Sequence, residues 1–376
     1  MRRLHVGVNL LYLKPGRIGG SEEYIWRLLR ALETEAVDDV ELTLFVNRRF
    51  REAHPDLAAA HPTVVAPISG DSPPVRIAVE SSWLAFQTAR RALDVVHHVA
   101  NTIPQVRTRP AVVTIHDLQP IVRPQDFGRI KGAYLRTRLG PAAREASAVA
   151  TPSDYVRRLL IDRFDLDGAR VVVVPAPIFS RARASNEVRP PDAGIERPFF
   201  VYPAITHPHK NHVTLLRAFA RVAAVHPEVS LVLMGGRGAR EEAVLAEIRR
   251  LGLDGRVHRV GRIPRPELDA FLGRAVALTF PSRHEGYGLP VAEAMALGCP
   301  VIASRTTALP EVVGDAGLLV DPEDIDGWIA AMLRVLDDAD LRAALIGAGH
   351  ERVRSLTPAE AARRLVTAYR LAVQSD

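Results

Sequence analysis

Residues 280–311 read FPSRHEGYGLPVAEAMALGCPVIASRTTALPE, and this stretch decides the fold. The apolar run 276–280, Val-Ala-Leu-Thr-Phe, reads as a buried strand. Pro281 and Ser282 end it, and a loop punctuated by Gly286 and Gly288 follows. Pro290 stands where the first residue of a helix is expected. Val291, Ala294, Met295 and Leu297 give that helix an apolar face, and Gly298 reads as its C-cap. A second strand follows over 300–303. Strand, loop, helix, strand is the unit of an open α/β sheet, which binds ligands at the carboxyl ends of its strands. A helix N-terminus there offers unpaired N–H groups to phosphate.

Two glutamates frame the loop. Glu293 falls in the expected first turn, where a carboxylate favours the helix dipole. Glu285 precedes the helix, just outside a strand end, and is expected to face the ligand crevice. Phosphate repels both, so each should meet hydroxyls instead. An ionised carboxylate is a strong acceptor for a vicinal diol. Phosphate beside diols describes a nucleotide sugar.

The pattern E-G-Y-G-L-P-V-A-E, then A-L-G-C-P-V-I-A-S, then L-P-E resembles the paired-glutamate signature of retaining glycosyltransferases of family four. The likeness covers most of residues 196–350 and, more loosely, the first half. It implies an α/β protein of the GT-B fold, two Rossmann-like, doubly wound domains facing each other across a cleft. It also implies that Glu285 binds donor-sugar hydroxyls and Glu293 the ribose diol. Backbone around Gly288 and Leu289 would then meet the diphosphate.

The 376 residues suit two domains of ordinary size. With 47% hydrophobic and 24% charged residues, the composition is that of a globular protein. The single cysteine, Cys299, excludes an internal disulfide framework and fits a reducing compartment. The start, MRRLHVGVNLLYL, has no small-residue cleavage site and is too short to span a membrane, so it reads as a first strand. A cytoplasmic protein is expected, with the inner membrane face as a peripheral site. The net charge of +6 suits an anionic ligand or surface, and no nucleic acid is expected as a partner.

In chain order, a strand over 5–12 leads into a glycine loop over 16–20, and Ser21 is placed to cap a helix over 22–33. In the family this loop would let backbone at Gly19 and Gly20 approach a phosphate. Strands are expected at 40–46, 63–67, 94–99 and 111–115, with a helix over 75–92. His97, His98 and His116 all fall at strand ends. For His97 and His98 a bond to a loop carbonyl is the preferred reading. His116, in T-I-H-D-L, takes by resemblance the place of an active-site histidine near the donor sugar, with Asp117 orienting the loop or the imidazole. Residues 123–144 carry six bases against Asp126, with Phe127, Ile130, Tyr134 and Leu135 among them. This reads either as a solvated helix or as a surface for an anionic membrane or lipid-linked diphosphate. A proline-rich run to Pro198 is the expected linker. The first domain would span 1–180 with a crossover helix at 357–376, and the second 195–356.

The second domain opens on a strand and the loop P-A-I-T-H-P-H-K-N-H. Family members carry a lysine like Lys210 here to meet the diphosphate. They usually also carry an arginine six residues earlier, where this chain has Ala204; either His207 or His209 substitutes when protonated, or the loop docks differently. A metal reading of His207, His209 and His212 is disfavoured by Lys210 among them and by the lack of a carboxylate. Gly235 and Arg237 lie in a loop that the resemblance puts near the donor nucleotide. Glu241 stands where a dinucleotide fingerprint needs glycine, which excludes that reading. Ile263 ends another strand, where the resemblance implies that the nucleobase packs. Asp165-Leu166-Asp167 and Asp324-Ile325-Asp326 mimic a metal-binding D-x-D but lie at helix boundaries, so caps are expected.

The expected activity is metal-independent transfer of a hexose, with retention, from a nucleoside-diphosphate sugar to a hydroxyl acceptor. That acceptor is a glycan, a lipid-linked sugar or a small-molecule glycoside. Glu285, His116 and Lys210 carry the chemistry, and no bound cofactor or metal is expected. The loop resembles those of mannosyl- and rhamnosyltransferases, which makes GDP-mannose the first donor to consider. A catalytically weak nucleotide-sugar-binding protein and a nucleotide-sugar epimerase of the same fold are the alternatives.

Overall fold

The computed structural model describes residues 2–14, 19–36, 38–179, 195 and 198–375. The chain divides into two compact units, residues 1–177 with 356–376, and residues 178–355.

The first unit is built on seven parallel strands. They are β1 (Leu4–Asn9), β2 (Val40–Val46), β3 (Thr63–Val65), β4 (Val95–His98), β5 (Ala111–Thr114), β6 (Ala148–Thr151) and β7 (Val171–Val173). Their order is β3-β2-β1-β4-β5-β6-β7. Buried parallel strands read as continuous apolar runs, and those of β5 and β6 do so, with every residue buried. The second unit holds six parallel strands: β8 (Phe199–Pro203), β9 (Ser230–Met234), β10 (Val257–Gly261), β11 (Ala277–Phe280), β12 (Val301–Ser304) and β13 (Leu318–Val320). Their order is β10-β9-β8-β11-β12-β13. Each sheet therefore reverses direction once, between β1 and β4 and between β8 and β11. A doubly wound sheet opens a crevice at that point, outside the carboxyl ends of the two strands.

Local chemistry accounts for most boundaries. Ser153 caps the helix Asp154–Phe164 by accepting the Val156 N–H. Asp324 caps Ile325–Asp337 through the Gly327 N–H, and Asp167 accepts the Ala169 N–H, so these members of both D-x-D triplets are caps. Ser21 is not one. The helix Gly20–Glu35 starts earlier, behind Gly19, with no side-chain cap. The helix expected over 75–92 is three segments, Pro73–Val79, a π-turn Glu80–Leu84 and Ala85–Ala89. Short helices at Arg48–Ala53 and Pro55–Ala60, too brief for a clear period, had no expectation in the sequence. The proline-rich run expected as a linker falls largely outside the described residues.

The last helix, Pro358–Gln374, belongs to the first unit, where it packs on the helix Gly20–Glu35 and on β4–β7. Its Tyr369 hydroxyl hydrogen-bonds His97 Nδ1 at 3.0 Å, while His97 Nε2 meets Thr114 Oγ1 at 2.7 Å. Side chains, and not the loop carbonyl expected, therefore hold His97. His98 Nδ1 likewise accepts from Asn9 Nδ2 at 3.2 Å.

Burial pushes His97, His98 and, in the second unit, His212 down to about 3. Nearby positive charge, Arg107 at His98 and Arg259 and Lys210 at His212, acts the same way. A base depressed in the folded state binds its proton first in the unfolded chain, which titrates near 6.5. Stability is thus fully present above about 6.5 and is lost as the pH falls towards 3. Urea unfolding should be nearly level from pH 7.5 to about 6.5 and then decline, approaching about 1.4 kcal/mol per pH unit for each such histidine by pH 5. A flat profile over that range would contradict their burial as neutral bases.

Candidate active site

In the second unit the two loops flanking the sheet reversal meet. After β8 the chain turns through residues 204–207 into a 3₁₀ turn, Pro208–Lys210, and Asn211, at φ +55°, redirects it into the helix His212–Val225. Tyr202 secures this loop from below: its buried hydroxyl donates to the Lys210 carbonyl at 2.6 Å and lies 3.2 Å from Ser282 Oγ. The Arg283 N–H donates to the His209 carbonyl at 2.7 Å, joining it to the loop after β11. Lys210 Nζ then reaches Glu285 Oε1 at 2.5 Å and sits 5.4 Å from the Phe280 ring centroid. Both charged side chains are mostly buried, 16% and 13% exposed, where the pair is screened less than on the surface.

Past Glu285 the chain enters the helix Leu289–Ala296. Gly288 is at φ +105°, and a Cβ there would lie 2.7 Å from Leu309 Cδ2, so only glycine fits. No side chain caps this helix, and Pro290 has no N–H. The backbone of Gly288 and the buried Leu289 is what this end presents to an anion.

Glu293 is the fifth residue of this helix, beyond its first turn, so the dipole reading fails. It is buried, and its Oε1 pairs with the guanidinium of Arg265. Arg265 in turn donates from Nε to Asp269 at 2.7 Å. One cation thus bridges two buried carboxylates. Nothing in the sequence around Pro-Arg-Pro-Glu signals this, because the partner lies 28 residues away.

The other candidates of this unit line the neighbouring strand ends. Gly235, at φ +112°, passes so close to Ala204 that a Cβ would meet its carbonyl carbon at 2.6 Å. Thr206 Oγ1 accepts the Gly238 N–H and donates to Glu241 Oε2, both at 2.7 Å, which locks the two loops together. Arg237 is exposed and Ile263 is half-buried just past β10. His207 and His209 stack with centroids 5.9 Å apart. His212 instead packs on Tyr202, so the three histidines do not converge. No group of three His, Cys, Asp or Glu suited to a metal occurs among the described residues.

His116 lies in the first unit, after β5. Its backbone N–H donates to Asn101 Oδ1 at 2.6 Å, and its Nε2 is 2.9 Å from the Val99 carbonyl. The loop-carbonyl bond expected for His97 or His98 is thus made by His116. Donation from Nε2 leaves Nδ1 as the basic nitrogen, and burial holds the imidazole below its ordinary value. The ring also stands edge-on to Tyr24 at 5.4 Å. Asp117 orients the loop, accepting the Gln119 N–H at 3.0 Å. Gly19 and Gly20 are exposed, with open space where a Cβ would stand. At the reversal in this sheet, Asn9 Nδ2 is 3.3 Å from Glu80 Oε1, and Arg76 pairs with Glu80 at 3.1 Å. Burial raises the Glu80 carboxyl above its usual range. Sequence reasoning missed this cluster because Glu80 sits in the π-turn.

Comparison with known proteins agrees with this architecture. The profile of Glycosyl transferases group 1 matches residues 186–352, and that of Glycosyltransferase Family 4 matches residues 18–179. O-antigen chain mannosyltransferase B of Escherichia coli is 28% identical over 284 residues, 74% of each chain. D-inositol 3-phosphate glycosyltransferase of Nocardioides sp. is 31% identical over 74% of this chain and 67% of its own. Among solved structures, HepE of Anabaena in complex with UDP-glucose superposes with a TM-score of 0.75 at 18% identity. That match covers 97% of this chain and 98% of that one, a likeness that shows the fold alone. Two doubly wound parallel sheets in this order are those of the GT-B fold, and the chain belongs to the family-four type of glycosyltransferases as a hexosyltransferase.

Proposed function

We propose that the enzyme moves a hexose from a nucleoside-diphosphate sugar to an acceptor hydroxyl, with retention and without a metal. The Lys210–Glu285 pair at the sheet reversal carries this reading. A diphosphate entering beside the uncapped helix start competes for the ammonium, and Glu285 is released to accept hydrogen bonds from the sugar. The bond from the anomeric carbon to the phosphate oxygen breaks with its electrons on the diphosphate. Lys210 and the N–H groups near Gly288 and Leu289 stabilise that charge. The acceptor oxygen then bonds to the anomeric carbon on the same face, and its proton passes to the leaving phosphate. Glu293, held by Arg265, accepts from the ribose diol. In this reading Ile263, Gly235, Arg237 and His209 line the nucleotide side of the second unit.

The mannosyltransferase relatives favour GDP-mannose as donor, and the UDP-glucose bound to the structural neighbour makes UDP-glucose the competing choice. Thermal-shift titration with GDP, UDP and dTDP tests this, since binding stabilises by mass action. One nucleotide should stand out, and its sugar conjugate should release it in the presence of a glycoside acceptor. Product formed from donor alone, without acceptor, would instead mark an epimerase. Donor binding without any release would mark a binding protein.

Charge points to the acceptor side: residues 1–180 carry 24 Lys and Arg against 19 Asp and Glu. In the helix Arg129–Glu145 and the turn before it, Arg123 pairs with Asp126, and Arg138 and Arg144 donate to the Ile103 and Phe164 carbonyls. Arg129, Lys131 and Arg136 remain on the exposed face beside Ile130, which is 88% exposed. No helix among the described residues is long and apolar enough to cross a membrane. Co-sedimentation with anionic, but not neutral, vesicles is expected, with release in about 0.5 M salt. Changing these three residues to Gln should abolish it and leave donor affinity intact. Equal retention on neutral vesicles removes the membrane reading.

A further inference from the structure

Thr307 stands in a backbone conformation that threonine seldom takes. Its φ is +56°, in the left-handed region where a β-branched side chain is strained. The other non-glycine residues there, among those described, are Asn101, Asp165 and Asn211, whose short polar side chains tolerate it. Strain of this kind persists where surrounding contacts over-determine it.

The contacts of Thr307 converge on Glu285. Thr307 Oγ1 accepts the Glu285 backbone N–H at 3.1 Å and donates to the Thr306 carbonyl at 2.8 Å. One residue on, the Ala308 N–H donates to the Glu285 carbonyl at 3.4 Å. The loop leaving β12 thereby grips both backbone polar groups of the residue whose carboxylate meets Lys210. Glycine would occupy this φ without strain, but it has no hydroxyl to offer.

We propose that Thr307 is a positioning residue for sugar transfer, setting the backbone of Glu285 and so the direction of its carboxylate. This rests on the reading of Glu285 as the ligand of the donor sugar. In Thr307→Val, which keeps shape and strain, the Glu285 amide should exchange with deuterium about tenfold faster, the scale of one hydrogen bond. Its kcat should fall by about the same factor, with the donor KM changed less than about twofold. Thr307→Ser should restore both. Thr307→Gly separates position from stability: relief of strain should hold or raise Tm while kcat still falls. Turnover is read as nucleoside diphosphate released from whichever of GDP-mannose, UDP-glucose and dTDP-rhamnose the unaltered enzyme cleaves fastest. An unchanged Glu285 amide in Thr307→Val, or full kcat in Thr307→Gly, overturns the inference. Glu285→Gln, assayed alongside, isolates the parent reading. Full turnover there removes the role of Glu285, whatever the amide reports about Thr307.

Discussion

Lys210→Ala is expected to lower kcat by about 10²- to 10³-fold, the cost of removing one principal electrostatic stabiliser from a transition state. The arginine usual in the family is absent at position 204. Ala204 is buried and packed against the backbone of Gly235, so no guanidinium joins the Lys210 ammonium from this position. His209, stacked on His207, adds charge only when protonated. In the proposed reaction Lys210 would therefore bear most of the leaving-group charge. The same change leaves the mostly buried Glu285 carboxylate without its counter-ion, so a lower Tm should accompany the kinetic loss. Lys210→Arg should recover part of the rate, because charge returns without the same reach. Chelator should change kcat less than about twofold, since no donor cluster among the described residues fits a resident metal. Activity that survives Lys210→Ala but disappears in chelator would transfer the role to a metal.

The second large effect separates the two glutamates. Glu293→Gln should weaken binding of free nucleoside diphosphate about tenfold or more, because the charge-assisted contact proposed to the ribose would be lost with or without the sugar. It also leaves Arg265 with Asp269 alone, so Tm should fall. Glu285→Gln should keep nucleoside diphosphate affinity within about twofold and lower kcat by about 10²-fold, because the contact proposed for it belongs to the reacting sugar. Isothermal titration with the preferred nucleotide, beside steady-state turnover, reads both. Equal loss of nucleotide affinity in the two variants would mean that the roles are wrongly divided.

Much of the second unit was legible because its information is local. The apolar run of β11, the glycines at 286 and 288 and the proline at 290 each dictate the backbone where they stand, and the structure follows them to within a residue or two. The caps at Asp324 and Asp167 were legible for the same reason. Ser21 shows the limit: a capping residue type ahead of a helical stretch, yet the helix begins one residue before it at Gly20.

What the sequence by itself determined is the alternation of buried strands with amphipathic helices, the loop that turns at Gly288, and the two carboxylates beside it. Periodicity and turn chemistry act over a few residues, so they can be read along the chain. Partnerships were decided by the tertiary structure alone. Lys210 meets Glu285 across 75 residues, Arg265 meets Glu293 across 28, and His97 meets Tyr369 across 272. His116 and not His97 or His98 bonds a loop carbonyl, and Thr307 accepts strain to hold Glu285, because strand order brings those groups together. Such contacts depend on which strand ends become neighbours in the sheet, a property of no single stretch of sequence.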